Sequence, residues 1–286
     1  MNFASIQSKL HGGKWSIERS AFDGLYHNVN RVHSLTYGGL KGLIFGNPLI
    51  SKSQSSETAS SQTEEQQTGD IAVINISGIL VKGANEEAEQ LLGLINIDKI
   101  SQALDNLAAD PSVSAIVLHI SSPGGETVGV DVLGRKIRNI DANIKPIYAW
   151  TETQAASAAY WLASQTKVIG MTSSASVGSV GVYMLLNDES AKLAQDGVKV
   201  NAVYSGKHKL LGHDFKELTD EERSILQTDV SKQHETFKEV IKSNRPEVKE
   251  EALEGLSYEG ADAFNHGLVD IVCDSLEEFL MELSKI

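Results

Sequence analysis

The spacing of apolar side chains divides the chain into three regions. Near the start, Trp15, Ile17, Phe22, Leu25 and Tyr26 fall at intervals that suit one amphipathic helix after Ser16, too little for a core of its own. Such an arm either docks on the rest of the chain, docks on a neighbouring copy, or frays. Residues 51–70, SKSQSSETASSQTEEQQTGD, contain no large apolar side chain. A segment of that kind cannot bury enough surface to offset its ordering entropy, and a flexible polar linker is expected. The expected division is therefore an N-terminal helical segment over 1–50, a linker over 51–70 and one main domain over 71–286.

From Ile71 the pattern becomes an alternation of strand and helix signals. Ile71 to Val81 is rich in β-branched residues and predicts a strand. Asn96 is placed to cap a helix with Ile97, Ile100, Leu104 and Leu107 on one face, ended by Asp110-Pro111. Ser114 to Ile120 predicts a buried strand, Ser121 to Thr127 a turn, and the next residues a helix to about Ile140. Further strands are expected at Lys145–Thr151, Lys167–Met171 and Val198–Tyr204, with a helix over Ser157–Gln165. Thr219-Asp220-Glu221-Glu222 has the form of a capping box and opens a long helix to about Ser243. Strands alternating with helices predict an α/β fold with a parallel sheet and right-handed crossovers.

At 286 residues with 41% apolar content, the chain has material for one large domain and an appendage. The net charge of −13 argues against nucleic acid as a partner, since nothing neutralises phosphate on any scale. Cys273 is the sole cysteine, so no intramolecular disulfide can form, which suits a reducing compartment. Tyr37 to Ile50 is the most apolar early stretch, but Lys41, several glycines and Pro48 interrupt it. No run approaches the roughly 18 apolar residues of a membrane helix, and the N-terminus lacks the order of a secretion signal. A soluble, cytoplasmic protein with no membrane partner is expected. No His-x-x-x-His or paired-cysteine spacing occurs, so neither a metal nor another cofactor is expected.

Three short segments carry chemistry. Ser122-Pro123-Gly124-Gly125 follows a strand, at the end of a parallel sheet where ligand crevices form. Glycines there let the backbone approach a carbonyl and aim N–H groups at it, although the same residues also make ordinary turns. Gln154 to Tyr160, QAASAAY, places Ser157 among alanines at a helix start. A serine there is often only a cap, but a cap does not require the surrounding small residues. Ser205-Gly206-Lys207-His208-Lys209 offers amines, beside Leu210 and Leu211, that serve as a base only when desolvated. Between them, Ser176-Val177-Gly178-Ser179 supplies hydroxyls, and Ser179 could orient such an amine. No histidine lies between His119 and His208, which favours lysine as the base and leaves His208 as the imidazole option.

Taken in order, SSPGG, QAASAAYWLA, SSASVGSVGV and YSGKHKLLG resemble the signal peptide peptidase A family of serine peptidases. The likeness covers about residues 71–272. It implies a ClpP/crotonase-like fold, a Ser/Lys dyad and a homo-oligomeric ring or dome acting on polypeptides. By position, it implies Ser157 as nucleophile, Lys209 as general base, Ser179 as the hydroxyl holding that lysine, and Gly124 and Gly125 as the oxyanion turn. The membrane anchor of the signal-peptide-degrading members is missing here. A short N-terminal piece with Lys14-Trp15-Ser16-Ile17 and a polar linker stand instead. That layout looks like the phage head maturation proteases, also called minor capsid protein C, which cleave scaffold and capsid proteins in the prohead.

Other readings remain at this level. One is a cytoplasmic bacterial protease of the signal-peptide-peptidase type. A crotonase-type acyl-CoA enzyme would use the Gly-Gly turn without needing Ser157 and Lys209 together. A non-catalytic shell or scaffold component would need neither, and the presence of both residues speaks against it.

Overall fold

The computed structural model describes residues 9–10, 12–26 and 70–285. The expected linker over 51–70 lies outside the described residues apart from Asp70, as does the rest of 27–50. In chain order the strands are β1 (Lys14–Ile17), β2 (Asp70–Ser77), β3 (Ile79–Val81), β4 (Leu94–Asn96), β5 (Val113–Ser121), β6 (Gly124–Glu126), β7 (Ile147–Thr151), β8 (Gln154–Ala156), β9 (Val168–Met171), β10 (Ser176–Gly178), β11 (Tyr183–Met184), β12 (Ser257–Glu259) and β13 (Ile271–Val272).

The central layer is a five-stranded parallel sheet ordered β13-β9-β7-β5-β2. Both of its faces are covered, as parallel sheets require. On one face, Ile116 and Leu118 of β5 join Ile100 and Leu104 of the helix Ile97–Ala109 and Leu133 and Ile137 of the helix Val130–Asn143. On the other, Val117, Trp150 and Val168 meet Phe279 of the helix Leu276–Leu283. The Trp150 and Phe279 rings stack with centroids 5.2 Å apart. Each such buried aliphatic side chain contributes roughly 1.5–3 kcal/mol. Asn96 caps its helix as expected, its side chain accepting from the Asp98 N–H. The long helix Asp220–Asn244 starts with a complete Thr219/Glu222 capping box.

A second sheet runs β11-β1-β6-β3-β4, and a third, smaller one runs β12-β10-β8. Three expectations change here. Trp15 and Ile17 belong to a strand rather than a helix, while residues 19–26 are helical. Together with Phe22 and Leu25 they pack against Ile79, Val81, Leu92 and Leu94, so the N-terminal arm docks on the main domain. The turn expected over Ser121–Thr127 contains β6, which is held between β1 and β3. The strand expected over Val198–Tyr204 is irregular, and Val198, Val200, Val203 and Tyr204 are exposed. Its residues pair with no strand among the described residues. Among the described residues, no helix is long and apolar enough to cross a membrane.

Candidate active site

Ser157 is the last residue before the helix Ala158–Ala163, and it follows β8 directly. Its backbone is at φ 56° and ψ −120°, a left-handed region that a non-glycine residue enters at a cost. Two hydrogen bonds pin it there: its N–H donates to Gly178 O at 2.7 Å, and its carbonyl accepts from Trp161 N–H at 2.9 Å. The capping reading fails, because its side chain makes no cap hydrogen bond. The hydroxyl lies instead 2.5 Å from the Ser16 Oγ, in a residue only 1% exposed. Ala155, Ala158 and Ala159 around Ser157 are packed into the main core. Tyr160 fastens the same helix, donating to Leu268 O at 2.8 Å, and burial pushes its phenol upward.

The parallel register of β8 and β10 pairs Ala156 with Gly178, which sets Ser179 beside Ser157 at the same strand ends. Ser179 is also left-handed, at φ 52°, with its N–H donating to Leu256 O at 2.7 Å. No hydrogen bond to the Ser179 hydroxyl occurs among the described residues, so it remains available to a further group.

Gly124 and Gly125 lie in β6, on the opposite side of Ser157. Gly124 is at φ 101°, and a Cβ added there would lie 2.4 Å from Ser16 O, 2.9 Å from Ala156 O and 3.0 Å from Ala158 N. Only glycine fits between the nucleophile turn and β1. The Gly124 N–H donates to Ser122 Oγ at 3.2 Å. Gly125 faces Ser16 in the antiparallel pair. The flanking pairs are bonded by Glu18 N–H to Pro123 O at 2.7 Å and Thr127 N–H to Lys14 O at 3.2 Å. Bonded pairs alternate along an antiparallel ladder, which makes Ser16 and Gly125 a bonded pair and directs the Gly125 N–H at the Ser16 carbonyl.

The structure therefore brings Ser157, Ser179, Gly124 and Gly125 together. It does not bring Lys209 to them. Lys209 sits in an exposed turn, its N–H donating to Gly206 O at 3.0 Å, and no hydrogen bond links it to Ser157 or Ser179 among the described residues. An inward-facing Lys209 beside a solvated Lys207 is thus not what this chain alone adopts. Lys207 is held at the surface by an ion pair with Glu221.

Sequence reasoning missed Ser16 and the backbone N–H of Ala158. The Ser16 partnership spans 141 positions, and no local periodicity reports a contact of that range. The Ala158 N–H was legible in principle, since the first N–H groups of a helix lack partners within it.

Residues 139–284 match peptidase family S49. The matched stretch includes Ser157, Ser179 and Lys209 and begins after Gly124 and Gly125. Capsid assembly protease C of Escherichia phage lambda is 30% identical over 213 residues, covering 72% of this chain and 47% of that protein. Protease 4 of Haemophilus influenzae is 28% identical over 203 residues, covering 70% of this chain and 32% of that protein. The chain thus spans less than two thirds of the length of either relative. A solved structure of the 1510-N membrane-bound stomatin-specific protease superposes with a TM-score of 0.45 at 14% identity, over 74% of this chain and 82% of that one.

Proposed function

This chain belongs to peptidase family S49, and we propose that within it the chain is a serine endopeptidase with Ser157 as nucleophile and Lys209 as general base. The observation that carries the reading is Ser157 itself. It is pinned in a strained conformation, its hydroxyl withheld from the helix it precedes, against the strand bearing Gly124 and Gly125. In the reaction, the neutral Lys209 amine takes the Ser157 proton as Oγ adds to a peptide carbonyl carbon. Charge building on the carbonyl oxygen is met by the Gly125 N–H, with the Ala158 N–H adjacent, and Gly124 leaves room for that approach. The C–N bond then breaks, the proton passes to the leaving amine, and water hydrolyses the Ser157 ester. Ser179 orients the amine from beside Ser157. No metal or cofactor enters any of these steps.

Lys209 must reach Ser157 and lose its hydration, and the chain alone leaves it in solvent. Its segment also exposes Val198, Val200, Val203 and Tyr204. Packing a second copy over residues 198–212 covers that apolar surface and desolvates the amine in one step. The working form in this reading is a homo-oligomer. The likeness to the lambda capsid assembly protease supports scaffold and capsid proteins of a phage head as the natural substrates.

Incubation of the purified protein with casein, and with candidate capsid and scaffold proteins, tests the activity beside Ser157→Ala. Cleavage by the parent chain and none by the variant is expected. Equal cleavage by both would refute the assignment of Ser157.

A further inference from the structure

Ser157 is only 1% exposed, and β1 lies across it with Ser16 Oγ 2.5 Å from its hydroxyl. The cleft of about 640 Å³ nearby is lined by Tyr183, Leu186, His213, Arg223, Leu226 and Val230, not by Ser157. β1 is held antiparallel on both sides, against β6 through Trp15–Glu126, Ser16–Gly125 and Ile17–Gly124, and against β11 through Lys14–Met184 and Trp15–Tyr183. Side chains alternate along it. Trp15 and Ile17 point into the apolar cluster with Ile79 and Val81, and the Trp15 ring meets Phe22 edge-on at 5.3 Å. Ser16 points the other way, bonded to Ser157 Oγ at 2.5 Å and donating to Gly181 O at 3.0 Å.

The carbonyl of Ser16 is the informative atom. It faces the Gly125 N–H by register and lies against Gly124, on whose missing side chain the Ala158 N also converges. These are the donors that would hold the oxygen of a peptide bond under attack by Ser157. A strand of this chain therefore lies with its backbone on the candidate oxyanion donors and its Ser16 side chain on the nucleophile.

We infer that the slot between β6 and β11 is the binding site for an extended polypeptide strand, and that residues 14–17 fill it as a substrate in cis. The inference rests on the peptidase reading above and specifies its substrate. A polypeptide must displace β1 and pair by strand addition. It must present a small side chain toward Ser157, where Ser16 now sits, flanked by large apolar side chains in the places of Trp15 and Ile17. A bulky residue at the central position meets the buried Ser157 turn and is rejected.

The test measures how fast a fluorophosphonate labels Ser157 in the full chain. Slow labelling is expected in the parent protein. Trp15→Ala removes the anchor of β1, and loss of a buried tryptophan should raise the labelling rate on the order of a hundredfold. A synthetic peptide spanning residues 12–19 should slow it again, and the same peptide with arginine in place of serine at its centre should not. Unchanged labelling in a folded Trp15→Ala protein, or indifference to both peptides, would overturn the inference. Should that variant lose its cooperative melt, hydrogen exchange in the Ser157→Ala chain decides. Amides of residues 15–17 should exchange faster once unfolded casein is bound, and bound casein with no change there overturns the inference as well. Failure of the peptidase reading looks different: Ser157 is labelled in no form and casein does not bind.

Discussion

Replacing Ser157 by glycine and by alanine separates the backbone strain of this position from its chemistry. Both changes remove the hydroxyl and its hydrogen bond to Ser16, so that loss cancels between them, and neither protein should cleave peptides. They differ in what φ 56° and ψ −120° cost. The hydrogen bonds to Gly178 O and from Trp161 N–H prevent alanine from relaxing, and a residue held in such a region costs about 1–3 kcal/mol. Glycine escapes that cost but loses about 0.5–1 kcal/mol more backbone entropy on folding. The balance leaves Ser157→Gly more stable than Ser157→Ala by about 1 kcal/mol. In a domain of this size that is a difference of roughly 2–4 °C in melting temperature. Scanning calorimetry of the two inactive proteins, side by side at one concentration, measures it. An alanine variant that melts at or above the glycine variant would refute the claim that the turn is strained, and with it the argument that this serine is held for chemistry.

Lys209→Ala should remove nearly all proteolysis, whereas Lys207→Ala, which breaks only a surface ion pair with Glu221, should change the rate by no more than about threefold; the opposite pattern moves the base to Lys207. Because the amine acts only when neutral, the rate of peptide hydrolysis should climb with pH, and the climb should survive in His208→Ala; a limb that vanishes in His208→Ala but persists in Lys209→Arg assigns the base to histidine. The Lys216 ammonium, followed by the Thr219 N–H, holds the Glu222 carboxyl below its ordinary value. A carboxylate lowered on folding stabilises above its unfolded value and loses that contribution as pH falls through the lowered one. Glu222→Gln should therefore reduce stability near neutrality and flatten the acid limb of the melting curve, and an unchanged acid limb counts against the Glu222 carboxylate, held by Lys216 and the Thr219 N–H, as its source. Light scattering at micromolar concentration should report an oligomer, and a monomer with full activity would contradict completion of the site by a second copy.

Local patterns carried much of the fold. The parallel sheet follows from runs such as Ile116 to Ile120, buried on both faces, alternating with helices whose caps at Asn96 and Thr219 are written in adjacent residues. Ser157 stood out because a helix start among small side chains is visible within seven positions. The Pro-Gly-Gly turn was partly visible too, since it follows an expected strand and ligand crevices form at the ends of parallel strands, whereas the strand that sets Ser179 beside Ser157 was not among those expected.

Pairing across long stretches of chain was beyond those patterns. Gly124 to Glu126 reads as a turn and becomes a strand only because β1 and β3 offer edges on either side. Val198 to Tyr204 reads as a strand and stays irregular, pairing with no strand among the described residues. Trp15 and Ile17 have spacing that a helix and a strand can both satisfy, and the slot between β6 and β11 decides between them. By itself, then, the sequence determined the class of fold and the residues at the ends of its strands, because propensity, capping and turn chemistry act over a few residues. Only the tertiary structure decided that Ser16 lies on Ser157 and that Lys209 does not, because contacts between distant segments depend on which sheet edges remain open after the core has closed.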